Sequence, residues 1–191
     1  MRASMFLRSA AITLALGALA GANAGTISTF ADPSPSGAEP LFELDGFSFT
    51  GEWTKPGLTL VMPITSQIYP NATFQMTPLT WNGTTGLSGG TLTFYDASQT
   101  LVLQIDFDAA WFFGPVGFGS SDLAGQTVTM SGPGVPAGLY EEAFAFSFAN
   151  QATTPTGFTW TASFTSSAIP EPTSLVLLGL GLGRSVRRHV R

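Results

Sequence analysis

The sequence predicts an all-β protein: an antiparallel β-sandwich of jelly-roll or immunoglobulin-like type, flanked by an N-terminal apolar helix and a short C-terminal apolar helix. Two observations support this prediction. Apolar and polar residues alternate with a period of two through most of residues 25–168, and clusters of Gly, Pro and Asn separate the alternating runs. The composition agrees, because 22 Gly and 16 Phe accompany only 10% charged residues, a usage that suits pleated sheets with one buried face.

Three long runs show the alternation most clearly, at Thr156–Ser166, Tyr140–Asn150 and Leu101–Ala109. The first run places four apolar side chains on one face, at Phe158, Trp160, Ala162 and Phe164. Shorter runs of the same kind are Thr26–Phe30, Gly46–Thr54, Leu58–Met62, Ala72–Gln75, Thr91–Tyr95 and Thr127–Ser131. About nine strands with one apolar face each favour two antiparallel sheets packed face to face.

The charges are distributed unevenly along the chain. All twelve Asp and Glu lie between Asp32 and Glu171, where Lys55 is the only cation, so one positive and twelve negative charges leave residues 25–172 at −11. A surface of that sign repels the phosphate backbone of nucleic acids, which excludes nucleic-acid binding as the function. It is also repelled by anionic lipid headgroups.

The beginning of the chain has the three parts of a secretory signal peptide. Arg2 and Arg8 provide positive charge, Ala10–Ala20 is an apolar stretch, and Ala22 and Ala24 form the small-x-small pattern at which signal peptidase cleaves. The apolar stretch is shorter than the roughly 20 residues that a membrane-spanning helix needs. This segment is therefore predicted to be removed during export.

The end of the chain combines three features in a fixed order. Pro170, Glu171 and Pro172 form a proline-acid-proline element, a short apolar stretch follows at Leu175–Gly183, and four arginines come after it. The arginines are Arg184, Arg187, Arg188 and Arg191. Arginines stay on the cytoplasmic side of a membrane and so act as a stop for export, while the two prolines fix the backbone of the segment on the other side.

This order of features resembles the PEP-CTERM sorting signal, and the resemblance is confined to the tail. It implies that an exosortase, a membrane Cys transpeptidase of Gram-negative bacteria that make extracellular polysaccharide, recognises the Pro-Glu-Pro element and processes the chain near it. It also implies transient membrane anchoring by the tail and delivery to the cell envelope or extracellular matrix. The predicted organisation is a signal peptide (1–24), a β-sandwich domain (25–168) and a sorting tail (169–191).

Few residue types that carry catalysis occur between the two targeting segments. The chain has no Cys, and its single histidine, His189, lies in the tail, so His and Cys chemistry is excluded from the domain. Asp106 and Asp108 lie on one strand face, about 7 Å apart, a separation that a glycosidase could use. Solvated carboxylates on a strand face are far more common, so the domain is predicted not to be an enzyme and to need no cofactor.

Calcium binding stays open as an alternative, because hard cations take carboxylate and carbonyl oxygens. The candidate ligands are Asp106 with Asp108, or Asp122 with the carbonyl oxygens of Phe118–Ser121. The sequence contains no EF-hand loop and no Gly/Asp nonapeptide repeat. No particular metal site is therefore assigned.

One place in the domain is a candidate for ligand contact. Trp111 follows Asp106 and Asp108 and precedes a Gly-rich segment, which predicts apolar surface at a loop rim. Aromatic rings beside polar groups can hold a glycan, which would make extracellular polysaccharide a binding partner. The sequence thus predicts an exported, non-enzymatic protein of the cell envelope or exopolysaccharide matrix and, as the alternative, a lectin-like carbohydrate-binding surface module.

Signal cleavage gives the first testable prediction. The exported protein should begin at Gly25, because signal peptidase cleaves after the small residue Ala24. N-terminal sequencing of the protein recovered from the envelope fraction measures this directly. Recovery of a chain that still begins at Met1 would contradict the signal-peptide assignment.

Overall fold

Thirteen β-strands account for most of residues 24–170, the part of the chain that the computed structural model describes. The strands are β1 (Gly25–Phe30), β2 (Phe42–Asp45), β3 (Ser48–Trp53), β4 (Thr59–Met62), β5 (Gln67–Pro70), β6 (Thr73–Met76), β7 (Leu79–Thr80), β8 (Gly86–Tyr95), β9 (Leu101–Phe113), β10 (Gly117–Ser121), β11 (Val128–Ser131), β12 (Leu139–Thr153) and β13 (Gly157–Pro170). Three short 3-10 turns lie between strands, at Pro35–Gly37, Pro63–Thr65 and Asp122–Ala124. These described residues contain no α-helix, and the all-β class predicted from the alternation is confirmed.

Eight of the strands form a closed ring. Neighbouring strands pair antiparallel in the order β12, β10, β9, β8, β6, β3, β2 and β13, and β13 then pairs with β12. The closing pair is a long hairpin that runs from Leu139 opposite Pro170 to Thr153 opposite Phe158. The architecture is therefore a closed eight-stranded antiparallel β-barrel.

The predicted β-sandwich is wrong. A sandwich has two sheets with free edges, whereas β13 pairs with β12 along one side and, along its other side, with β2 and then with β1. Alternation with a period of two specifies only that each strand has one buried face, and a sandwich and a barrel both meet that condition. The ring also requires β13 to pair with β2, which lies far from it in the chain, and local alternation does not encode that pairing.

Five strands lie outside the ring. β1, β4 and β5 extend the sheet from β13, β11 pairs with β9, and β7 pairs with β3. Four strands have no counterpart among the predicted runs, namely β2, β5, β7 and β10. Each of them has five residues or fewer, too few for a period of two to stand out.

Aromatic rings fill the barrel. Phe146 packs against several other rings, with the shortest centroid distances, 4.7 Å, 4.8 Å and 4.9 Å, to Phe164, Phe42 and Phe118. All four side chains are at most 3% exposed. An eight-stranded barrel has an interior just wide enough for side chains to fill, and here Phe and Trp occupy it.

The predicted inward faces of the long runs are largely confirmed. Trp160, Ala162 and Phe164 of β13 are buried, and so is Phe146 of β12. Phe158 differs and is 38% exposed, because it lies beside the β12–β13 turn at the end of the barrel.

Ser88–Gly90, one of the Gly-containing clusters expected to separate strands, lies instead inside β8. β8 and β9 approach so closely here that a Cβ atom on Gly89 would overlap the carbonyl oxygens of Phe107 and Asp108, so only glycine permits the contact. The buried face of β9 also changes phase at this point. Residues 105 and 107 are buried before it, and residues 110 and 112 are buried after it.

The barrel has two distinguishable ends. The turn end carries the β2–β3, β9–β10 and β12–β13 turns, and β13 begins there with Gly157 opposite Asp45. At the terminal end, Gly25 pairs with Ala168, and β13 finishes at Pro170. β1 therefore begins at the end of the barrel opposite to these turns, and β13 finishes there.

The two helices expected to flank the domain fall on residues 1–23 and 171–191, outside the residues that the structure describes. The predicted transmembrane helix finds no support. No helix within residues 24–170 is long and apolar enough to cross a membrane.

Truncation of Phe146 tests the role of the aromatic interior. Phe146→Ala should lower the free energy of unfolding by about 3–5 kcal/mol, because it removes a buried ring and leaves a cavity. Phe47→Ala is the matched control, since Phe47 is 65% exposed and its loss should change the free energy by less than about 0.5 kcal/mol. Urea denaturation of the exported protein measures both values. Equal effects of the two substitutions would contradict a barrel stabilised by its interior rings.

Candidate functional site

Two exposed aromatic side chains lie next to each other on the outer face of β9. Trp111 is 42% exposed and Phe113 is 54% exposed, whereas Phe112 between them is buried. The rings of Trp111 and Phe113 have centroids 6.5 Å apart and planes within 17° of parallel. We call these two residues the aromatic pair. Phe113 is not among the predicted contact residues, although its two-residue spacing from Trp111 places it on the same strand face.

Beside the aromatic pair, the outer faces of β10, β12 and β13 carry only small side chains. Trp111 lies opposite Gly119 of β10. Gly119 lies opposite Ala145 of β12, and Ala145 lies opposite Thr165 of β13. The next row, in the same strand order, consists of Phe113, Gly117, Ser147 and Ser163. We call the small residues of β10, β12 and β13 in these two rows the floor. Since neighbouring strands are about 4.8 Å apart, the floor extends about 14 Å from the aromatic pair.

The side chains of the β10 part of the floor have to be small because the backbones of β10 and β12 lie too close together for larger ones. A Cβ atom on Gly119 would overlap the carbonyl oxygen of Phe144, and one on Gly117 would overlap the carbonyl oxygen of Phe146. Larger residues at either position would displace β12 from β10. The Gly-rich segment that the sequence presents as a loop is therefore a strand whose glycines permit close pairing.

The aromatic pair and the floor together form a groove of about 470 Å³, which we call the outer groove. No charged side chain lines it, and its polar groups are hydroxyls, among them those of Ser147, Thr165 and Ser167. A groove with apolar rings at one side and neutral hydroxyls at the other suits a neutral ligand that carries both C–H faces and hydroxyl groups.

The Trp111 ring has a polar support. The side-chain amide of Gln126 lies between the indole N–H of Trp111 and the carbonyl oxygen of Ser121. In the orientation that satisfies both neighbours, the Gln126 oxygen accepts from Trp111 Nε1 at 2.5 Å, and its nitrogen donates to Ser121 O at 3.1 Å. This contact fixes the direction in which the exposed indole points.

Asp106 and Asp108 do not border the outer groove. Thr91 Oγ1 and Gln104 Nε2 each donate to one carboxylate oxygen of Asp106, both at 2.7 Å. The backbone N–H of Thr127 donates to Asp108 at 2.8 Å, and this bond holds the pKa of Asp108 below its ordinary value. Both carboxylates therefore support the fold around β9 and are not brought together with Trp111.

The second calcium candidate has its oxygens engaged as well. Asp122 accepts from the backbone N–H of Val128 at 2.7 Å and from that of Glu142 at 3.0 Å. The residues Phe118–Ser121, whose carbonyls were its expected partners, form β10 and not a loop. Residues 24–170 contain no cluster of three or more His, Cys, Asp or Glu that could hold a metal ion.

The Glu142 carboxyl is buried, which the sequence does not indicate. Glu142 is 7% exposed, and its carboxylate accepts a hydrogen bond from the backbone N–H of Met130. Burial raises the pKa of Glu142, and the nearby charge of Asp122 adds to the increase. The hydrogen bond between Glu142 and Met130 therefore connects β12 to β11 beneath the outer surface.

A second cleft, of about 400 Å³, opens at the turn end of the barrel. Trp81, Phe158 and Trp160 are among its lining residues, and Phe113 borders both this cleft and the outer groove. The indole N–H of Trp160 is buried without a hydrogen-bond partner in the described part of the chain. Two exposed rings, Phe113 and Phe158, thus border the same cleft as the β9–β10 turn.

Comparison with known families addresses the tail. Residues 168–189 match the family described as the PEP-CTERM protein-sorting motif. The chain carries a PEP-CTERM sorting motif. This match confirms the resemblance seen in the Pro-Glu-Pro element and the arginines that follow it. The protein is exported and sorted through its C-terminal tail, and an exosortase is the processing partner that the motif implies.

The PEP-CTERM motif overlaps the described structure only at its first three residues. Ala168, Ile169 and Pro170 belong to β13, while Glu171, Pro172 and the arginine cluster lie outside the described residues, as does Ala22 of the signal cleavage pattern. No curated protein and no solved structure shows significant similarity to the chain.

Replacement of Glu142 by glutamine should change how stability depends on pH. Burial raises the pKa of Glu142 above its ordinary value of 4.5, so the stability that the protonated group provides is lost as the pH rises through the raised pKa. Glu142→Gln keeps an acceptor for the Met130 N–H and cannot ionise. The free energy of unfolding of the variant, minus that of the wild type, should therefore grow between about pH 4 and about pH 8.

Urea denaturation at the two pH values measures this difference. Glu52→Gln is the control, because it removes one carboxylate from an exposed position of β3 and changes the net charge by the same amount. If the difference for Glu142→Gln shrinks as the pH rises, the account of the buried carboxyl is wrong.

Proposed function

We propose that this exported protein binds extracellular polysaccharide in its outer groove and acts, without catalysis, as a component of the cell envelope or exopolysaccharide matrix. The observation that carries the proposal is the aromatic pair, two exposed rings fixed side by side at the border of an uncharged groove. Exposed aromatic side chains grouped beside a groove mark interaction sites on soluble proteins.

The chemistry of the groove matches that of a sugar chain. The face of an aromatic ring carries negative partial charge and attracts the C–H groups on the face of a sugar ring. Hydroxyls such as those of Ser147 and Thr165 can donate to and accept from sugar hydroxyls. The floor at Gly119 and Ala145 has no projecting side chain, so a chain of linked sugars can lie across β10 and β12.

The charge of the domain favours neutral polysaccharides. Eleven carboxylates and one lysine between residues 24 and 170 leave a formal charge of −10, while the groove itself is uncharged. An anionic polymer would be repelled by the surrounding surface. Neutral chains meet no such repulsion.

The non-catalytic role is supported by the kinds of residue at the groove. Its lining contains no acid, base or nucleophile other than hydroxyls, and hydroxyls need an adjacent base to act as nucleophiles. The two aspartates that a glycosidase could use are bonded to Thr91, Gln104 and Thr127 and lie outside the groove.

Truncation of the aromatic pair tests the proposal. Trp111→Ala and Phe113→Ala should each weaken binding to neutral polysaccharide by about tenfold or more, as expected for exposed rings at the centre of a contact. Affinity electrophoresis in gels that contain the neutral or the acidic polysaccharide of the host measures the binding. Phe47→Ala is the matched control, because Phe47 is an exposed ring that does not line the groove.

A protein whose migration is unchanged by any neutral polysaccharide would contradict the binding proposal and leave a matrix role that does not involve this groove. Binding that Trp111→Ala and Phe47→Ala weaken equally would show that the aromatic pair is not the site.

A further inference from the structure

The barrel and the PEP-CTERM motif share residues. The motif match begins at Ala168, whereas β13 continues to Pro170. No linker therefore separates the barrel from the Pro-Glu-Pro element, whose first residue is the last residue of a barrel strand.

The shared residues are held by their neighbours in the sheet. Ala168 is fully buried. Ile169 lies opposite Tyr140, and Pro170 lies opposite Leu139, which is the first residue of β12. We call these two opposed pairs the terminal clamp.

An irregularity in β12 separates the terminal clamp from the rest of the hairpin. The pairing of β12 with β13 is interrupted between Tyr140 and Ala143. Inside the interruption, Glu141 has a φ angle of +52°, a left-handed conformation that residues other than glycine rarely adopt. From Ala143 onwards the pairing resumes, with Ala143 opposite Ser167.

The part of β12 that follows Glu141 is held by hydrogen bonds that do not involve the terminal clamp. The Glu142 carboxylate accepts from the N–H of Met130, and the Glu142 N–H donates to Asp122 at 3.0 Å. Opening of the clamp at Glu141 therefore leaves these bonds and the closed ring in place. Terminal strand segments that few contacts hold are the first to open in native proteins.

A strand residue offers an enzyme only part of its surface. Its peptide groups are shared with the neighbouring strand, and its side chains alternate between the interior and solvent. We propose that the terminal clamp opens before the tail is processed. The substrate of the exosortase is then the protein with an open clamp and an intact barrel, and not the protein with a closed clamp. The population of the open form then limits the rate of processing.

A disulfide across the clamp tests this proposal. Tyr140 and Ile169 lie directly opposite each other, and the chain contains no Cys that would compete. The double variant Tyr140→Cys with Ile169→Cys can therefore lock the clamp when oxidised. The reduced form of the same variant controls for the loss of the two side chains. Ala152→Cys with Thr159→Cys is the matched control, since it places a disulfide at the other end of the same hairpin, away from the outer groove.

The full chain is expressed in a host with a working exosortase, and the conversion of precursor to processed chain is followed by pulse-chase with and without reductant. We expect the oxidised clamp variant to be processed about tenfold more slowly than its reduced form, and the control pair to be processed at the same rate in both states. Equal rates for the oxidised and reduced clamp variant would overturn the proposal.

A second variant does not depend on disulfide formation. Leu139→Gly with Tyr140→Gly weakens the clamp from the β12 side and leaves every residue of the PEP-CTERM motif unchanged. The proposal requires this variant to be processed faster than the wild type, and a rate equal to or below that of the wild type would overturn it. Circular dichroism of the purified variant checks that the barrel remains folded.

Discussion

The filled interior of the barrel is the constraint on which the other features of this protein depend. Eight strands enclose a space that Phe42, Phe118, Phe146 and Phe164 occupy with rings in direct contact. A ligand can therefore bind on the outer surface or at the ends of the barrel, and the side chains of the outer surface determine which ligands bind. The same packing allows the domain to hold together without any disulfide, since the chain has no Cys.

The outer groove depends on a change of phase in β9. Near Gly89 of β8, where the two backbones approach closely, the buried face of β9 shifts by one residue. If the alternation of residues 103, 105 and 107 continued unchanged, Trp111 and Phe113 would point into the barrel. The shift turns them outward and puts Ala110 and Phe112 inside instead. This change of phase in β9 thus determines which of its aromatic residues reach solvent.

The sequence predicted local features well and distant ones poorly. Strands with strict alternation, such as the run at Thr156–Ser166, follow directly from the burial of one face. The sorting motif was visible because its features are contiguous in the chain. The closure of the ring, by contrast, depends on β13 pairing with β2 as well as with its neighbour β12, and no local pattern encodes the pairing with β2. The groove floor was missed for a related reason: the alignment of Trp111 with Ala145, and of Phe113 with Ser147, exists only once the strand register is set.

The position of the aromatic pair along the barrel affects how tightly a single copy of this protein has to bind a polysaccharide. Phe113 is level with Ser163 of β13 through the row of opposed residues, and seven residues of extended strand, about 23 Å, separate Ser163 from Pro170. Under the proposed function, copies of the protein that are sorted to one surface would present their outer grooves as an array. A long polymer that touches several grooves at once is retained by the sum of the contacts, because each further contact forms at high effective concentration. Weak individual binding is then sufficient for durable retention, and any single contact can still be released and remade.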